Sequence, residues 1–280
     1  MPTLILAGGG LKGLSMLGAI YALIEEGNEY QQVVGTSIGS ALGLLICVGW
    51  EPLFVIHYLY QQKIFDNLSF EPSLTQLMDF QRILTTIANM VTTKTGQPDI
   101  TFTELEGKFH KELFCITTNY LTTQTEVMCT QTTPNLSCLE AIRRSCAIPY
   151  IFGRCVSELP TPALYIDGGF LQNFPVRVAV ERCSPPYVGI IPEWTCNTSI
   201  DDSIFKVVFN AVSIILNASS ENLIEIYKDK VNIYYVPYPF ELSKTKFRLN
   251  ELLDAFSAGY RAVTESNKDG IVSPIQPTTD

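Results

Sequence analysis

The segment LILAGGGLKGLSMLGAIYALIEEG, residues 4–27, contains the parts from which an α/β unit is built. An apolar run enters a glycine-rich turn, and a segment with helical spacing of its apolar residues leaves it. Such a turn presents backbone N–H groups at a helix N-terminus, where they can bind the phosphates of a cofactor or a negative charge formed only during a reaction. The residues that follow the next strand decide between these two uses.

Predicted strands and helices alternate along most of the chain. The strands are expected at 3–7, 31–36, 164–166, 187–191 and 231–236, with two antiparallel neighbours in LFCITTNYLT (113–122) and TEVMCTQ (125–131). The helices are expected at 14–26, 38–49, 137–146, about 201–227 and about 246–265. Strands separated by helices pair in parallel through right-handed crossovers, so the pattern predicts an α/β fold.

The predicted domain organisation is a single domain over residues 1–280. The chain is 46% hydrophobic, with no internal repeat and no long linker. Residues at about 50–100 form a helical insertion rich in aromatic side chains, including Phe54, Phe65 and Phe70. This insertion has two interpretations, ordinary helices packed on the sheet or a lid that faces lipid. The tail at about 268–280 is expected to be frayed.

Charge and composition exclude several classes of protein. A formal net charge of −9 argues against nucleic-acid binding, which needs a surplus of Lys and Arg. It also disfavours electrostatic capture by anionic lipid, so any membrane contact should be local and apolar. The eight cysteines lack metal-ligand spacing, which predicts no metal site. With no signal-peptide pattern at the N-terminus, we expect reduced thiols and an intracellular location, either cytoplasmic or peripheral to membranes.

One uncharged run, Val33 to Trp50, is about as long as a short membrane span. Glycines and hydroxyl side chains divide it, and this favours a buried strand followed by a buried helix.

The second predicted strand ends in GTSIG, residues 35–39. This is the G-x-S-x-G nucleophile elbow in its required context of strand, turn and helix. Gly35 and Gly39 leave room for the sharp turn, and Ser37 at its tip is lifted out of the sheet edge. The helix that follows directs its N-terminal dipole at the place where an oxyanion would form. Ser37 is therefore the candidate nucleophile.

A serine hydroxyl needs a neighbouring group that takes its proton. The chain has only two histidines, His57 and His110, and both precede the later strands. The order of an α/β-hydrolase triad, serine then acid then a late histidine, is therefore impossible here. In LYIDGGFLQNFP (164–175), Asp167 ends an apolar strand and is followed by Gly168 and Gly169. Alone it would suggest a tight Asp-Gly turn, but beside an elbow serine without a usable histidine it becomes the candidate general base.

Four blocks of sequence resemble the patatin-like phospholipase family, whose members are Ser–Asp dyad lipid acyl hydrolases. The blocks are GGGLKG (8–13), GTSIG (35–39), SCAIP (145–149) with Phe152 beyond it, and DGGFLQNFP (167–175). They frame about 170 residues, and their conjunction in this order is specific although each block alone is not. Gly153 departs from the proline that often follows the phenylalanine in the family.

The resemblance implies a three-layer patatin-like fold, related to α/β-hydrolases, with a mostly parallel central sheet and helices on both faces. It implies that Ser37 is the nucleophile, that Asp167 is the general base, and that no metal or organic cofactor is required. It also implies an oxyanion hole in the glycine loop, formed by Gly8, Gly9, Gly10, Lys12 and Gly13. The implied substrate is a lipid or phospholipid, with transient contact at a membrane surface. Asn173 and Pro175 are expected to shape the strand exit, and the 145–149 block to border the site without a chemical step.

Two alternative functions remain. Gly8, Gly10 and Gly13 satisfy the G-x-G-x-x-G fingerprint of dinucleotide-binding folds. That fold needs an acidic residue at the tip of the second strand, where this chain has the elbow serine. The other alternative is a catalytically silent fold that only binds lipid, and the intact pair of Ser37 and Asp167 argues against it.

Overall fold

The computed structural model describes residues 2–64, 80–153, 155–157, 162–194, 204–241, 244 and 246–268. The strands within these ranges are β1 (Thr3–Leu6), β2 (Gln32–Thr36), β3 (Glu112–Asn119), β4 (Gln124–Met128), β5 (Cys155–Ser157), β6 (Ala163–Asp167), β7 (Tyr187–Pro192) and β8 (Val231–Val236). The helices are α1 (Gly13–Glu25), α2 (Ile38–Cys47), α3 (Pro52–Gln61), α4 (Gln81–Thr95), α5 (Phe102–Phe109), α6 (Cys138–Ser145), α7 (Gly169–Gln172), α8 (Val176–Arg182), α9 (Ile204–Tyr227) and α10 (Leu249–Lys268).

All eight strands belong to one sheet. Its order is β5-β6-β3-β2-β1-β7-β8, and β4 pairs with β3 as well. The five strands from β3 to β8 along this order pair in parallel, and β4, β5 and β6 make the antiparallel pairs. The prediction of a mostly parallel α/β sheet is thus confirmed.

Helices cover both faces of the sheet, and the side chains of β1 show why. Leu4 and Leu6 pack in a core that includes α1, α2 and α10, whereas Ile5 and Ala7 pack in a second core with α8. Successive side chains of a strand point to opposite faces, so a continuous apolar run is what a strand buried on both faces requires. The segment 33–50, which is uncharged, is β2 and α2 inside this arrangement. The three-layer expectation is confirmed.

The elements after Asp167 differ from the sequence prediction. The strand β6 ends at Asp167, but no hairpin follows, because Gly169 begins the short helix α7. The sequence prediction contained neither α7 nor α8, nor the three-residue strand β5. Each is too short for apolar periodicity to be detected.

The described part of the insertion at about 50–100 consists mainly of α3 and α4. Val55 and Met90 are fully buried in the core, while Phe54 is 59% exposed. Phe65, Phe70 and most of the tail at about 268–280 lie outside the described residues. No single described helix has the length and apolar content to cross a membrane. The pair α2 and α3 has both only when the two helices are taken together, and a bend of 112° separates them.

Candidate active site

The register of β3 places the two candidate catalytic residues end to end. β4 pairs with residues 115–119 of β3, and the opposite edge is shared by β2 and β6. β2 is parallel to β3 and ends with Thr36 opposite Ile116, whereas β6 is antiparallel and ends with Asp167 opposite Thr117. The carboxyl ends of β2 and β6 therefore meet, and Ser37 follows directly after β2.

Ser37 has the backbone of a nucleophile elbow. Its φ of 54° and ψ of −125° are unusual for a residue with a side chain, and it is 7% exposed. Its neighbours have no room for a Cβ, because one on Gly35 would lie 2.4 Å from the Gly39 carbonyl carbon and one on Gly39 would lie 2.4 Å from the Leu6 carbonyl oxygen. These close approaches fix glycine at both positions and hold the strained turn in place.

Asp167 is completely buried, and its carboxyl group is only half satisfied. Oδ1 accepts a hydrogen bond of 2.7 Å from the Gly169 amide, while Oδ2 has no hydrogen-bond partner of good geometry within the part of the chain that the structure describes. Burial raises the pKa of Asp167 to about 7, and the Ser37 hydroxyl and the Gly169 amide act in the opposite direction. The nearby Cys146 thiol stays neutral near neutral pH, because burial and, to a smaller extent, the Asp167 charge raise its pKa.

The glycine loop lies beside Ser37. A Cβ on Gly8 would lie 3.3 Å from the Ser37 Cβ, and one on Gly13 would lie 2.7 Å from Ile38 Cγ1. The Gly8 amide is already used, since it donates to the Asn173 carbonyl oxygen at 2.9 Å. The amides of Gly9 and Gly10 donate to no described residue, and Gly10, at φ 56°, is exposed.

Lys12 is buried, with only 1% of its surface exposed to solvent. Its Nζ donates to the Glu193 carbonyl oxygen at 2.8 Å and lies 3.7 Å from the centre of the Trp194 ring. These contacts tie the glycine loop to the segment after β7.

The structure brings the two ends of the 167–175 block into one network around the site. A Cβ on Gly168 would lie 2.2 Å from the Ile116 carbonyl oxygen, which explains why this turn needs glycine. Asn173 is 2% exposed, and its backbone makes both contacts. The carbonyl oxygen accepts the hydrogen bond of the Gly8 amide, and the backbone amide donates to Ser219 Oγ at 3.1 Å. Sequence reasoning gave Ser219 no role.

Other chemistries find less support. His57 and His110 are both exposed, whereas Ser37 and Asp167 are buried. β2 has no acidic residue, so the carboxylate that a dinucleotide-binding fold needs at its tip is missing. Within the described ranges, no group of three or more His, Cys, Asp or Glu side chains could hold a metal ion.

The fold and the paired side chains define an α/β protein with a nucleophile elbow facing a buried carboxyl group. The sequence matches the model of the patatin-like phospholipase family over residues 4–180, which is more than half of the chain, and the chain belongs to this family.

Individual relatives are more distant. The chain is 28% identical over 186 residues to the probable lipid hydrolase 463L of Invertebrate iridescent virus 6, a match that covers 64% of this chain and 63% of the relative. It is 28% identical over 181 residues to lysophospholipase NTE1 of Meyerozyma guilliermondii, covering 62% of this chain and 11% of that protein. The crystal structure of VipD from Legionella pneumophila shares the fold, with a TM-score of 0.53 and 18% identity over 94% of this chain and 66% of VipD. The chain thus spans about two thirds of the viral relative and of VipD and a much smaller part of NTE1.

Proposed function

We propose that this protein hydrolyses carboxylic esters of lipids, with Ser37 as nucleophile and Asp167 as general base. The observation that carries the proposal is the buried carboxyl group of Asp167, which interacts with the Ser37 hydroxyl and whose Oδ2 atom has no hydrogen-bond partner of good geometry among the described residues. A buried polar atom without a partner is rare and calls for a chemical reason. A general base that accepts the proton of a nucleophile during the reaction is such a reason. The family and the lipid-hydrolysing names of the relatives support the substrate class.

The reaction proceeds in two steps. Asp167 Oδ2 takes the proton of Ser37 Oγ as this oxygen attacks the ester carbonyl carbon, and a tetrahedral oxyanion forms. The C–O bond to the alcohol then breaks, and the alcohol leaves with the proton from Asp167. In the second step Asp167 takes a proton from water, the resulting hydroxide attacks the acyl-enzyme, and the fatty acid is released as Ser37 regains its proton.

The oxyanion is held by the glycine loop. Since the Gly8 amide is engaged by Asn173, the donors are the amides of Gly9 and Gly10, which donate to no residue that the structure describes. Each well-placed donor would stabilise the transition state by about 3 kcal/mol. Lys12, which is buried next to the glycine loop, adds positive charge, and Gly13 lets the loop approach Ile38. The raised pKa of Asp167 makes it a stronger base than an ordinary carboxylate and suits proton transfer near neutral pH.

The test combines a fluorophosphonate probe with fatty-acid release from mixed phospholipid vesicles. Wild type is compared with Ser37→Ala, Asp167→Asn and a control, Asp254→Asn, which changes an exposed carboxyl group on α10. Labelling and release should be lost in the first two variants and unchanged in the control. Equal labelling of Ser37→Ala and wild type would refute the assignment of the nucleophile. A folded wild type that binds vesicles but neither reacts with the probe nor releases fatty acid would identify the silent lipid-binding alternative.

A further inference from the structure

The C-terminus of α6 lies between the two residues of the proposed dyad. Its last residue, Ser145, is completely buried. The last carbonyl groups of a helix have no partners within the helix and must be satisfied elsewhere. Here one partner comes from the turn that carries the proposed base, since the Gly168 amide donates to the Ser145 carbonyl oxygen at 3.2 Å. Just beyond the helix, the Asp167 amide donates to the Ala147 carbonyl oxygen at 3.0 Å.

The side chain of Ser145 holds the other half of the dyad. Its Oγ accepts a hydrogen bond of 2.9 Å from the Ser37 amide and donates one of 2.5 Å to the Ile116 carbonyl oxygen. Because the only hydroxyl hydrogen is used on Ile116, a lone pair of Oγ is left to face Ser37. Ile116 lies opposite the end of β2, so the hydroxyl connects the elbow to the central strand.

We infer that Ser145 is a positioning residue, which sets the distance between the Ser37 hydroxyl and the Asp167 carboxyl group. Its side chain holds the backbone of the nucleophile at its positive φ, and its main chain holds the turn of the base. This inference rests on the proposed function and adds to it a residue that touches neither the substrate nor the reacting atoms.

A second buried serine shows what sets Ser145 apart. Ser40 Oγ donates to the Ser37 carbonyl oxygen at 2.6 Å, and Ser40 is also completely buried. That carbonyl oxygen accepts two further hydrogen bonds, from the amides of Ser40 and Ala41. Removing the Ser40 hydroxyl therefore leaves the carbonyl group satisfied, whereas removing the Ser145 hydroxyl leaves the Ser37 amide without its acceptor. The two serines are a matched pair in burial, residue type and the residue they contact.

The two halves of the dyad should respond differently to Ser145→Ala. The carbonyl groups of Ser145 and Ala147 remain, so the turn of Asp167 keeps its hydrogen bonds, and the nucleophile alone is released. A displacement of about 1 Å at a reacting group can lower the rate by about 100-fold. The expected result is a fall of about 10- to 100-fold in kcat and in the rate of fluorophosphonate labelling, with KM changed less than about twofold. The midpoint of the pH profile should move to higher pH, because Asp167 stays buried while the Ser37 hydroxyl, which lowers its pKa, moves away from it.

The experiment measures probe labelling, kcat and KM on a short-chain monomeric ester, and thermal unfolding, for wild type, Ser145→Ala and Ser40→Ala. Ser40→Ala should stay within about threefold of wild type in labelling and turnover. If Ser145→Ala also stays within this range, or if both variants lose the same activity with the same loss of stability, the inference is wrong. Failure of the wild type to react with the probe would instead overturn the proposed function itself.

A second comparison does not depend on the folding of Ser145→Ala. Ser145→Thr and Ser145→Val have side chains of the same shape, and only the first keeps a hydroxyl group. Steric effects at this buried position are therefore common to both variants. Labelling at least about tenfold faster in the threonine variant supports the positioning role, and equal rates would contradict it.

Discussion

Asp167→Asn should remove part of the pH dependence of the free energy of unfolding. The folded-state pKa of Asp167 is about 7, raised chiefly by burial, against an ordinary value of 3.8. Between these two values the unfolded chain is ionised at this position while the folded protein keeps its proton. The raised pKa therefore contributes its full stabilisation of the folded state below about pH 4, and this stabilisation is lost as the pH rises to about 7.

The size of the effect follows from the difference between the two pKa values. One pKa unit corresponds to about 1.4 kcal/mol, so the separation of about 3 units predicts a loss of about 4 kcal/mol over the whole window. Between pH 5 and pH 8, the loss is about 3 kcal/mol. Asparagine cannot ionise, and it still offers an oxygen to the Gly169 amide. The free energy of unfolding of Asp167→Asn, relative to that of wild type, should therefore increase by about 3 kcal/mol from pH 5 to pH 8.

The assay is denaturant unfolding of both proteins at several pH values from 5 to 8, evaluated as a difference so that all other titrations cancel. The kcat/KM of wild type should rise over the same range, because the base must be ionised to accept the proton of Ser37. A difference in stability that does not change with pH would refute the raised pKa. Activity that rises with a midpoint near pH 4, while the stability difference titrates at about pH 7, would contradict the role of Asp167 as the base.

Three further changes test other parts of the molecule. Gly39→Ala places a Cβ 2.4 Å from a backbone oxygen of β1 and should lower the free energy of unfolding by about 3 kcal/mol in denaturant titrations, whereas Gly107→Ala, with no atom within 4 Å, should be neutral or slightly stabilising. Lys12→Met removes a buried charged hydrogen bond and should lower the free energy of unfolding by about 2 kcal/mol; an unchanged thermal midpoint would contradict its anchoring role. Phe54→Ser should weaken sedimentation with zwitterionic vesicles by about tenfold if the exposed face of α3 enters lipid, while turnover of a monomeric ester serves as the control.

The parts of the fold that could be predicted are those with long apolar patterns and glycine signals. β1, α1, β2 and α2 follow the predicted ranges closely because a strand buried on both faces and a buried helix leave continuous apolar runs. The candidate pair could be named because GTSIG and DGG each contain glycines that the backbone requires. Four residues, from Gly169 to Gln172, form α7, and so short a helix leaves no periodic pattern to detect.

The role of Ser145 could not have been predicted in the same way. Its hydrogen bonds join residues 108 and 29 positions away in sequence, and such contacts exist only after β2, β3 and α6 have come together. The occupied amide of Gly8 is a similar case, since its partner Asn173 comes from the far end of another block. Sequence motifs named the loop that is proposed to hold the oxyanion, but only the packed structure shows which of its amides are already engaged by described residues.

The meeting of the carboxyl ends of β2 and β6 offers a physical reason for the proposed dyad in place of a triad. In a triad, the histidine itself takes the proton of the serine, and the acid orients the imidazole and stabilises its positive charge without being protonated. Here β6 runs antiparallel to β3 and ends one register position beyond β2 along the same edge, so the carboxyl group of Asp167 comes directly to the serine. The shared edge of β3 thus lets the carboxyl group itself act as the proposed base, and burial gives it what a histidine has by nature, a pKa near neutral pH.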